Sequence, residues 1–299
     1  MKCTRCKEKA VVALPSHNAG FCPSCYLLFF ERQVQKAIKD KKLFTYQDKI
    51  LIALSGGKDS LALAWQLKKL DYDIQGLHID LDIPDSSPIA RDHVQRFCQQ
   101  NDISLHILEI SKHGLSIPQV KIKSKRPICS ICGKIKRYYF NKFAMDNGFT
   151  VLATGHNLDD EVARLFSNVF RWDAAYLGDQ GPVLPEENGF SRKVKPLYRL
   201  SEFETANLCF LSEIDYAYAP CPYSSGASFT FYKSLLDQLE HKQPGRKMSF
   251  YEGFLSRGQQ AFAKLDQEHG TTPTPCTRCG YPTSEEVCGV CRITEMLKD

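Results

Sequence analysis

The sequence lacks any apolar run long enough to cross a bilayer. Its longest, Ile50-Leu51-Ile52-Ala53-Leu54, is strand length and far short of the ~18 residues a span needs. The N-terminus, Met1-Lys2-Cys3-Thr4-Arg5-Cys6, shows no apolar signal-peptide core, so a cytoplasmic protein with no membrane attachment is expected. There is no low-complexity tract and no tandem array. Neither sign of charge dominates: 39 Lys+Arg against 34 Asp+Glu leave +5, so anion binding must come from local clusters and not from the net field. With 43% hydrophobic and 24% charged residues the chain is neither collagen-like nor wholly disordered. Its 299 residues allow one large domain with small attachments, or two medium domains.

Cysteine, by contrast, is abundant. Thirteen is an odd number, so disulfides could not use them all, and a reducing compartment disfavours disulfides anyway. Eight fall into four CxxC pairs at the two ends: Cys3/Cys6 with Cys22/Cys25, and Cys276/Cys279 with Cys288/Cys291. Two knuckles of this kind place four thiolates tetrahedrally around one Zn2+, and a closed four-cysteine site is structural. Thioredoxin-like redox pairs are the weaker alternative. Val11-Val12-Ala13-Leu14 and Phe21 are too few to form a core, so metal must supply much of the first module's folding energy. Gly280 and Gly289 are expected to permit tight turns in the second module.

Between the ends, strand and helix patterns alternate. Strands are expected at 49–54, 73–80, 105–110 and 149–154; helices at 27–42, from Leu61, and at 88–100, 137–147 and 158–170. This repetition implies a parallel sheet covered on both faces, with ligands beyond the strands' C-terminal ends. Residues 226–270 read as mostly helical, and 271–275 as a linker.

Ser55-Gly56-Gly57-Lys58-Asp59-Ser60 sits between the first strand and a helix. Its glycines let backbone N–H groups approach an anion, the helix N-terminus adds partial positive charge, and Lys58 adds a full one. It is neither a Walker A loop nor GxGxxG. Ser-Gly-Gly-x-Asp-Ser resembles the signature of the PP-loop ATP pyrophosphatases, which bind ATP on a Rossmann-like sheet and release pyrophosphate. The resemblance implies an α/β fold of the adenine nucleotide alpha hydrolase-like type. It places adenine near Leu77-His78-Ile79-Asp80 and suggests Asp59 and Asp160 for Mg2+.

Three further cysteines, Cys129, Cys132 and Cys221, admit three readings: buried free thiols, a Cys129/Cys132 persulfide, or an iron–sulfur cluster. Four thiolates are usual, so three would leave one iron open. A PP-loop followed by CxxC and a distant cysteine resembles the TtuA/TtcA family of tRNA thiolation enzymes, and the terminal zinc ribbons point to its TtuA branch. Thr154-Gly155-His156-Asn157-Leu158-Asp159-Asp160-Glu161 resembles that family's second ATP-site motif.

The resemblance implies ATP-dependent 2-thiolation of uridine in tRNA. The C2 oxygen is adenylated and then replaced by sulfur delivered through a [4Fe-4S] cluster on Cys129, Cys132 and Cys221. Lys136, Asp160 and Asp59 would be catalytic. Ala53, Ser55, Gly56, Gly57, Lys58, Asp59, Ser60, Ile79, Lys136 and Gly155 would contact nucleotide. It further implies two Zn2+, a ubiquitin-like thiocarboxylated sulfur carrier or other sulfide donor, and a homodimer. The expected division is a zinc ribbon at 1–27, a catalytic domain at 28–225, a helical extension at 226–271 and a second ribbon at 272–299. Rival readings are the iron-free persulfide enzyme, a PP-loop amide ligase on a small substrate, and an RNA-binding scaffold without catalysis. His156 and His78 are expected to pack or contact nucleotide, and Cys98 and Cys209 to lie in the core. Basic residues at 121–126, Lys134, Lys136 and Arg137, with Arg192, Lys193, Lys195 and Arg199, form the expected phosphate-binding surface.

Overall fold

The computed structural model describes residues 1–187, 189–218, 221–223, 228–263 and 273–298. Parts of the expected helical extension (226–227 and 264–271), of the linker, and the first residue assigned to the second ribbon lie outside these.

A six-stranded sheet forms the centre. β3 (Ile50–Leu54), β4 (Ile74–Asp80), β5 (Ser104–Glu109), β6 (Val151–Thr154), β7 (Val183–Leu184) and β8 (Arg192–Val194) lie in the order β5-β4-β3-β6-β8-β7. All neighbours are parallel except β7 and β8. The chain runs from β3 outward through β4 to β5, then returns to place β6 on the other side of β3. The switch point therefore falls between β3 and β6, where open α/β sheets hold ligands.

Period-two alternation along β3 feeds two cores. Ile50, Ile52 and Leu54 face α1 (Pro23–Lys41), α2 (Lys58–Lys69), α3 (Ser86–Gln100) and α8 (Glu202–Leu211). Leu51 faces α4 (Ile117–Lys123) and α5 (Ile128–Asp146). α6 (Leu158–Arg171), α7 (Ala174–Gly178), α9 (Ser228–Lys242) and α10 (Arg246–Gly253), continued by a π turn at Phe254–Gly258, complete this part of the molecule. Cys98 and Cys209 are buried in the first core.

The end modules attach to opposite faces. Cys3, Cys22, Leu14 and Tyr26, from β1 (Val12–Leu14), β2 (Ala19–Phe21) and the start of α1, join the first core. The Tyr26 hydroxyl donates to the Glu204 carbonyl at 2.6 Å. Cys276, Cys288 and Val290, flanking β9 (Thr274–Pro275) and β10 (Pro282–Thr283) and opening α11 (Gly289–Lys298), join the second core beside Ile131, Ile135 and Tyr138 of α5.

Two expectations change. The helix expected from Arg137 begins at Ile128, so Cys129 and Cys132 lie inside α5 and not ahead of it. Pro127 is its N-cap and lacks only an N–H that helix starts leave unpaired, so it opens the helix without breaking it. Gly280 does turn with φ +73, but Gly289 opens α11 with ordinary backbone, and its missing Cβ makes room for Lys134, whose Cδ would lie 2.7 Å away.

Candidate functional site: the crevice between two loops

The first loop follows β3. Gly56 adopts φ +83, and a Cβ there would meet the Ala90 carbonyl oxygen at 2.8 Å, so both conformation and space demand glycine. Gly57 caps α2, whose first residue is Lys58. The Ser60 hydroxyl donates to Gly57 O at 2.9 Å and accepts from Ser55 N–H at 3.2 Å, with Ser55 Oγ 3.1 Å away. These bonds hold the loop around the free N–H groups of the helix start, an anion site by construction.

The second loop follows β6 on the other side of the switch point. A Cβ on Gly155 would stand 2.8 Å from the Asp59 carbonyl carbon and 2.8 Å from Ser60 N, so only glycine lets the two loops touch. Asn157 caps α6 and forms a reciprocal capping box with Asp160, at 3.1 and 3.2 Å. Asn157 Nδ2 also donates to Asp59 Oδ1 at 3.1 Å, and the Thr205 hydroxyl donates to the same oxygen. Lys58 Nζ lies 3.0 Å from Asp59 Oδ2. Burial works against the charge on Lys58, but Asp59 and Glu202 outweigh it and hold the lysine above its ordinary value.

Asp160 is half-buried, and loss of solvent opposes its charge. Lys233 at 2.5 Å reverses that and holds the carboxyl below its ordinary value. Its neighbour Asp159 is paired with Lys247 and accepts Glu202 N–H at 2.6 Å. Both lysines come from the helices after residue 228.

Ala53 and Ile79 lie at the C-terminal ends of β3 and β4, on the side of the sheet that faces α5. His78 Nδ1 lies 2.9 Å from the Leu54 carbonyl oxygen; burial lowers its pKa, and Lys136 acts on it in the same direction. Lys136 lies one turn beyond Cys132 on α5. His156 Nδ1 meets the Thr154 hydroxyl at 2.8 Å, and burial pushes the ring down to about 4, so it is neutral near pH 7.

Contacts tie together the segments that carry the three central cysteines, although their sulfurs do not form a tight set like the terminal ones. Cys129 Sγ is 3.6 Å from the Tyr223 carbonyl oxygen, which ties α5 to the loop carrying Cys221. Burial pushes the Cys132 thiol up to about 11; Lys136 opposes the shift, while Cys129 and Cys221 add to it. Cys132 and Cys221 flank the same apolar cluster. Upstream of Cys221, Ala217 N–H donates to the Gly56 carbonyl at 2.9 Å. Four residues of chain reach at most ~14 Å, so covalent geometry alone keeps Cys221 near the Gly56–Gly57 turn. Three soft donors beside an apolar wall and a lysine suit an anionic iron–sulfur cluster.

The terminal sets are tighter. In each, all four sulfurs lie within 4.8 Å of one another. Cys6–Cys22 at 3.5 Å and Cys279–Cys288 at 3.7 Å match the edge of about 3.8 Å expected for a tetrahedral ion with 2.3 Å metal–sulfur bonds. Backbone N–H groups of Cys288 and Cys291 point at Cys276 and Cys288 Sγ, at 3.2 and 3.4 Å, as thiolates require.

The basic surface is narrower than the sequence implies. Lys195 is buried and pairs with Glu161 at 2.8 Å, Arg199 pairs with Glu252, Arg192 donates to the Lys42 carbonyl, and Lys123 caps α11. In place of Lys195 and Arg199, Arg164 of α6 joins Arg137 and Lys193. Burial lowers Lys193 to about 8, and Arg137, Lys195 and Arg164 all add to the shift. Sequence reasoning missed Asn157, Thr205, Lys233 and Arg164. Only the Asn157-x-x-Asp160 capping box left a readable signal.

Comparison with known proteins gives a consistent picture. A PP-loop domain family matches residues 27–221, and the N-terminal LIM domain of 2-thiouridine synthetase TtuA matches residues 2–27. The tRNA-5-methyluridine(54) 2-sulfurtransferase of Pyrococcus horikoshii is 38% identical over 299 residues, covering 100% of this chain and 95% of that protein. The Thermotoga maritima protein of the same name is 39% identical over 301 residues, covering 100% and 97%. Among solved structures, the U34-tRNA thiolase NcsA from Methanococcus maripaludis with its [4Fe-4S] cluster superposes with a TM-score of 0.83 at 27% identity, covering 99% and 96% of the two chains. With a PP-loop domain over residues 27–221, a TtuA N-terminal domain over residues 2–27 and full-length relatives at 38% and 39% identity, the chain belongs to the TtuA family of PP-loop tRNA 2-sulfurtransferases.

Proposed function

We propose that this enzyme uses ATP to adenylate the C2 oxygen of 5-methyluridine at position 54 of tRNA and exchanges that oxygen for sulfur. The choice of position is supported by the relatives at 38% and 39% identity, which are named for nucleotide 54; the thiolase named for nucleotide 34 is less similar. The reading is carried by one path of contacts: Gly56 to Ala217 in the chain leading to Cys221, and Tyr223 to Cys129. That path joins the phosphate loop to the cysteine trio.

The residues divide the work. The N–H groups of Lys58 to Ser60, with the Lys58 ammonium, bind the β- and γ-phosphates and neutralise charge growing on pyrophosphate. Asp59 and Asp160 would hold Mg2+, a hard cation that prefers oxygen. The C2 oxygen is a poor leaving group until it becomes part of AMP. Lys136 stands against the α-phosphate and the oxyanion that develops as C2 changes ligand. Gly155 lets the second loop close on the first, and Ala53 and Ile79 form the adenine wall. Cys129, Cys132 and Cys221 would hold a [4Fe-4S] cluster, which supplies an iron without a protein ligand where sulfide can bind. Each terminal set of four cysteines would hold one Zn2+.

Exposed Lys121, Lys125, Arg126 and Lys134, with Arg137, Arg164 and Lys193, form the proposed track for the tRNA backbone. The sulfur donor in this reading is a ubiquitin-like protein with a C-terminal thiocarboxylate, the working form is a homodimer, and the compartment is the cytoplasm. We retain the four-part division at 1–27, 28–225, 226–271 and 272–299 as its domain plan. Mass spectrometry of tRNA nucleosides from cells with and without the gene, mapped to position, tests the reaction. Loss of 2-thio-5-methyluridine at position 54 is the expected result, and an unchanged nucleoside profile overturns it. Full activity in a colourless, iron-free preparation would replace the cluster with a Cys129/Cys132 persulfide.

A further inference from the structure

Lys233 lies beyond the stretch matched by the PP-loop family, yet it completes the nucleotide crevice. Its ammonium sits 2.5 Å from Asp160 and also contacts Glu202, with only 19% of the side chain exposed. Glu202 opens α8, the helix that sends Thr205 to Asp59. Lys58 feels the same groups: Asp59 and Glu202 favour its charge and Lys233 opposes it. Two ammonium groups and three carboxylates thus share one pocket beside the phosphate loop.

That pocket is nearly neutral before any ligand enters. Mg2+ arriving at Asp160 would compete with a lysine already on the carboxylate, because both need the same oxygens. Lysine is a compact charge on a flexible four-carbon stem, so its ammonium can be displaced while α9 stays in place. The strongest anion then within its reach is the polyphosphate held by the loop at Lys58.

We propose that Lys233 is a transferable counter-cation of the nucleotide site: it occupies Asp160 until Mg2+ and ATP bind, then moves to the departing pyrophosphate. The proposal rests on the reading of Asp160 as a magnesium ligand. In the step it serves, the uracil C2 oxygen forms a bond to the α-phosphorus. The bond from that phosphorus to the bridging oxygen breaks, its electron pair leaves with pyrophosphate, the uracil N3 proton passes to solvent, and no oxidation or reduction occurs. Lys233 neutralises part of the charge that departs.

The test uses two readouts that move in opposite directions. The full-length protein is titrated calorimetrically with α,β-methylene-ATP at a series of Mg2+ concentrations, and with inorganic pyrophosphate at saturating Mg2+. Lys233→Met removes both the competitor and the pyrophosphate ligand. It should lower the half-saturating Mg2+ about threefold to tenfold while weakening pyrophosphate about tenfold, as loss of one charge-assisted contact does. Lys233→Arg should keep pyrophosphate affinity within about threefold of the parent. A strut that only holds α9 would leave both readouts unchanged or weaken both together, and either result overturns the proposal. Lys233→Gln, which still donates hydrogen bonds to the carboxylates, takes the place of Lys233→Met if circular dichroism shows that variant unfolded. Asp160→Asn separates the two readings. A raised Mg2+ requirement there, with none of the Lys233→Met effects, overturns the counter-cation alone. An unchanged requirement removes Asp160 as a magnesium ligand, and the proposal with it.

Discussion

At each end of the chain four cysteine sulfurs lie within 4.8 Å of one another, a geometry not found for Cys129, Cys132 and Cys221 among the described residues. The terminal sets come from paired knuckles, and in the second of them backbone N–H groups point at sulfur. The central set comes from the first turns of one helix and from a loop hydrogen-bonded to the phosphate loop. Four ligands around a tetrahedral ion leave nothing for a substrate. Three, carried by α5 and the loop at Cys221, would leave one position open on the cluster proposed for them. The same side chain is thus structural or functional according to how many copies the backbone gathers and how tightly.

Breaking a terminal set should have the largest effect. Structural zinc supplies on the order of 10 kcal/mol to the folding of small modules. Cys288→Ser should reduce bound zinc from two to one per chain and open residues 273–298 to proteolysis. Because Cys276, Cys288 and Val290 pack on Ile131 and Ile135, the same change should also impair iron loading of the central site. Cys22→Ser breaks the set on the opposite face of the sheet, so iron loading should survive it. Metal analysis with limited proteolysis checks both variants; equal iron loading in the two would deny the coupling through α5.

Removing a central cysteine should reverse the pattern. Cys132→Ser should cost roughly 10³-fold or more in thiolation, as loss of one member of a group acting as a unit does. Its melting temperature should fall by only a few degrees, the shift that about 1 kcal/mol produces. A single-turnover thiolation assay alongside calorimetry reads both. Residual activity within tenfold of the parent would favour a role for Cys132 in packing.

A smaller effect is expected where the two loops meet. Gly155→Ala places a methyl 2.8 Å from backbone atoms of Asp59 and Ser60, which cannot yield as a side chain tip can. Overpacking of this kind costs about 1–3 kcal/mol. Affinity for α,β-methylene-ATP should fall while both terminal metal sites stay filled, as calorimetry with metal analysis would show. Unchanged nucleotide affinity would mean that the loops separate without consequence.

What could be read in the sequence follows from how local the physics is. The strand before Ser55 and the helix after it were legible because an apolar pentapeptide, two glycines and a helical apolar period are neighbours in the chain. The terminal knuckles were legible for the same reason. The start of α5 was misplaced because the CxxC and its lysines mask the apolar period ahead of Arg137. β7 and β8, of two and three residues, are too short for any periodicity to register. Lys195 looked like one more surface cation, since nothing local shows that Glu161, 34 positions away, is buried to receive it. Lys233 and Thr205 reach Asp160 and Asp59 only through tertiary packing of α9 and α8 on α6 and α2. Those contacts leave no mark on either segment alone.

The smallest effect concerns pH. His156 has a folded pKa of about 4 against an ordinary 6.5, caused first by burial. Between those values the unfolded chain binds a proton that the folded chain does not. Stability contributed by this group is therefore complete above about pH 6.5 and lost as the pH falls towards 4. Asp160 acts in the same direction at lower pH. Lys233 holds its folded pKa below the ordinary 3.8, so its contribution is lost only as the pH falls through the carboxylate range. Denaturant midpoints at pH 7 and pH 5 separate the two. His156→Gln cannot titrate and should flatten the difference, whereas Asp160→Asn should leave most of it. A difference between pH 7 and pH 5 that survives in His156→Gln would assign the acid sensitivity to another group.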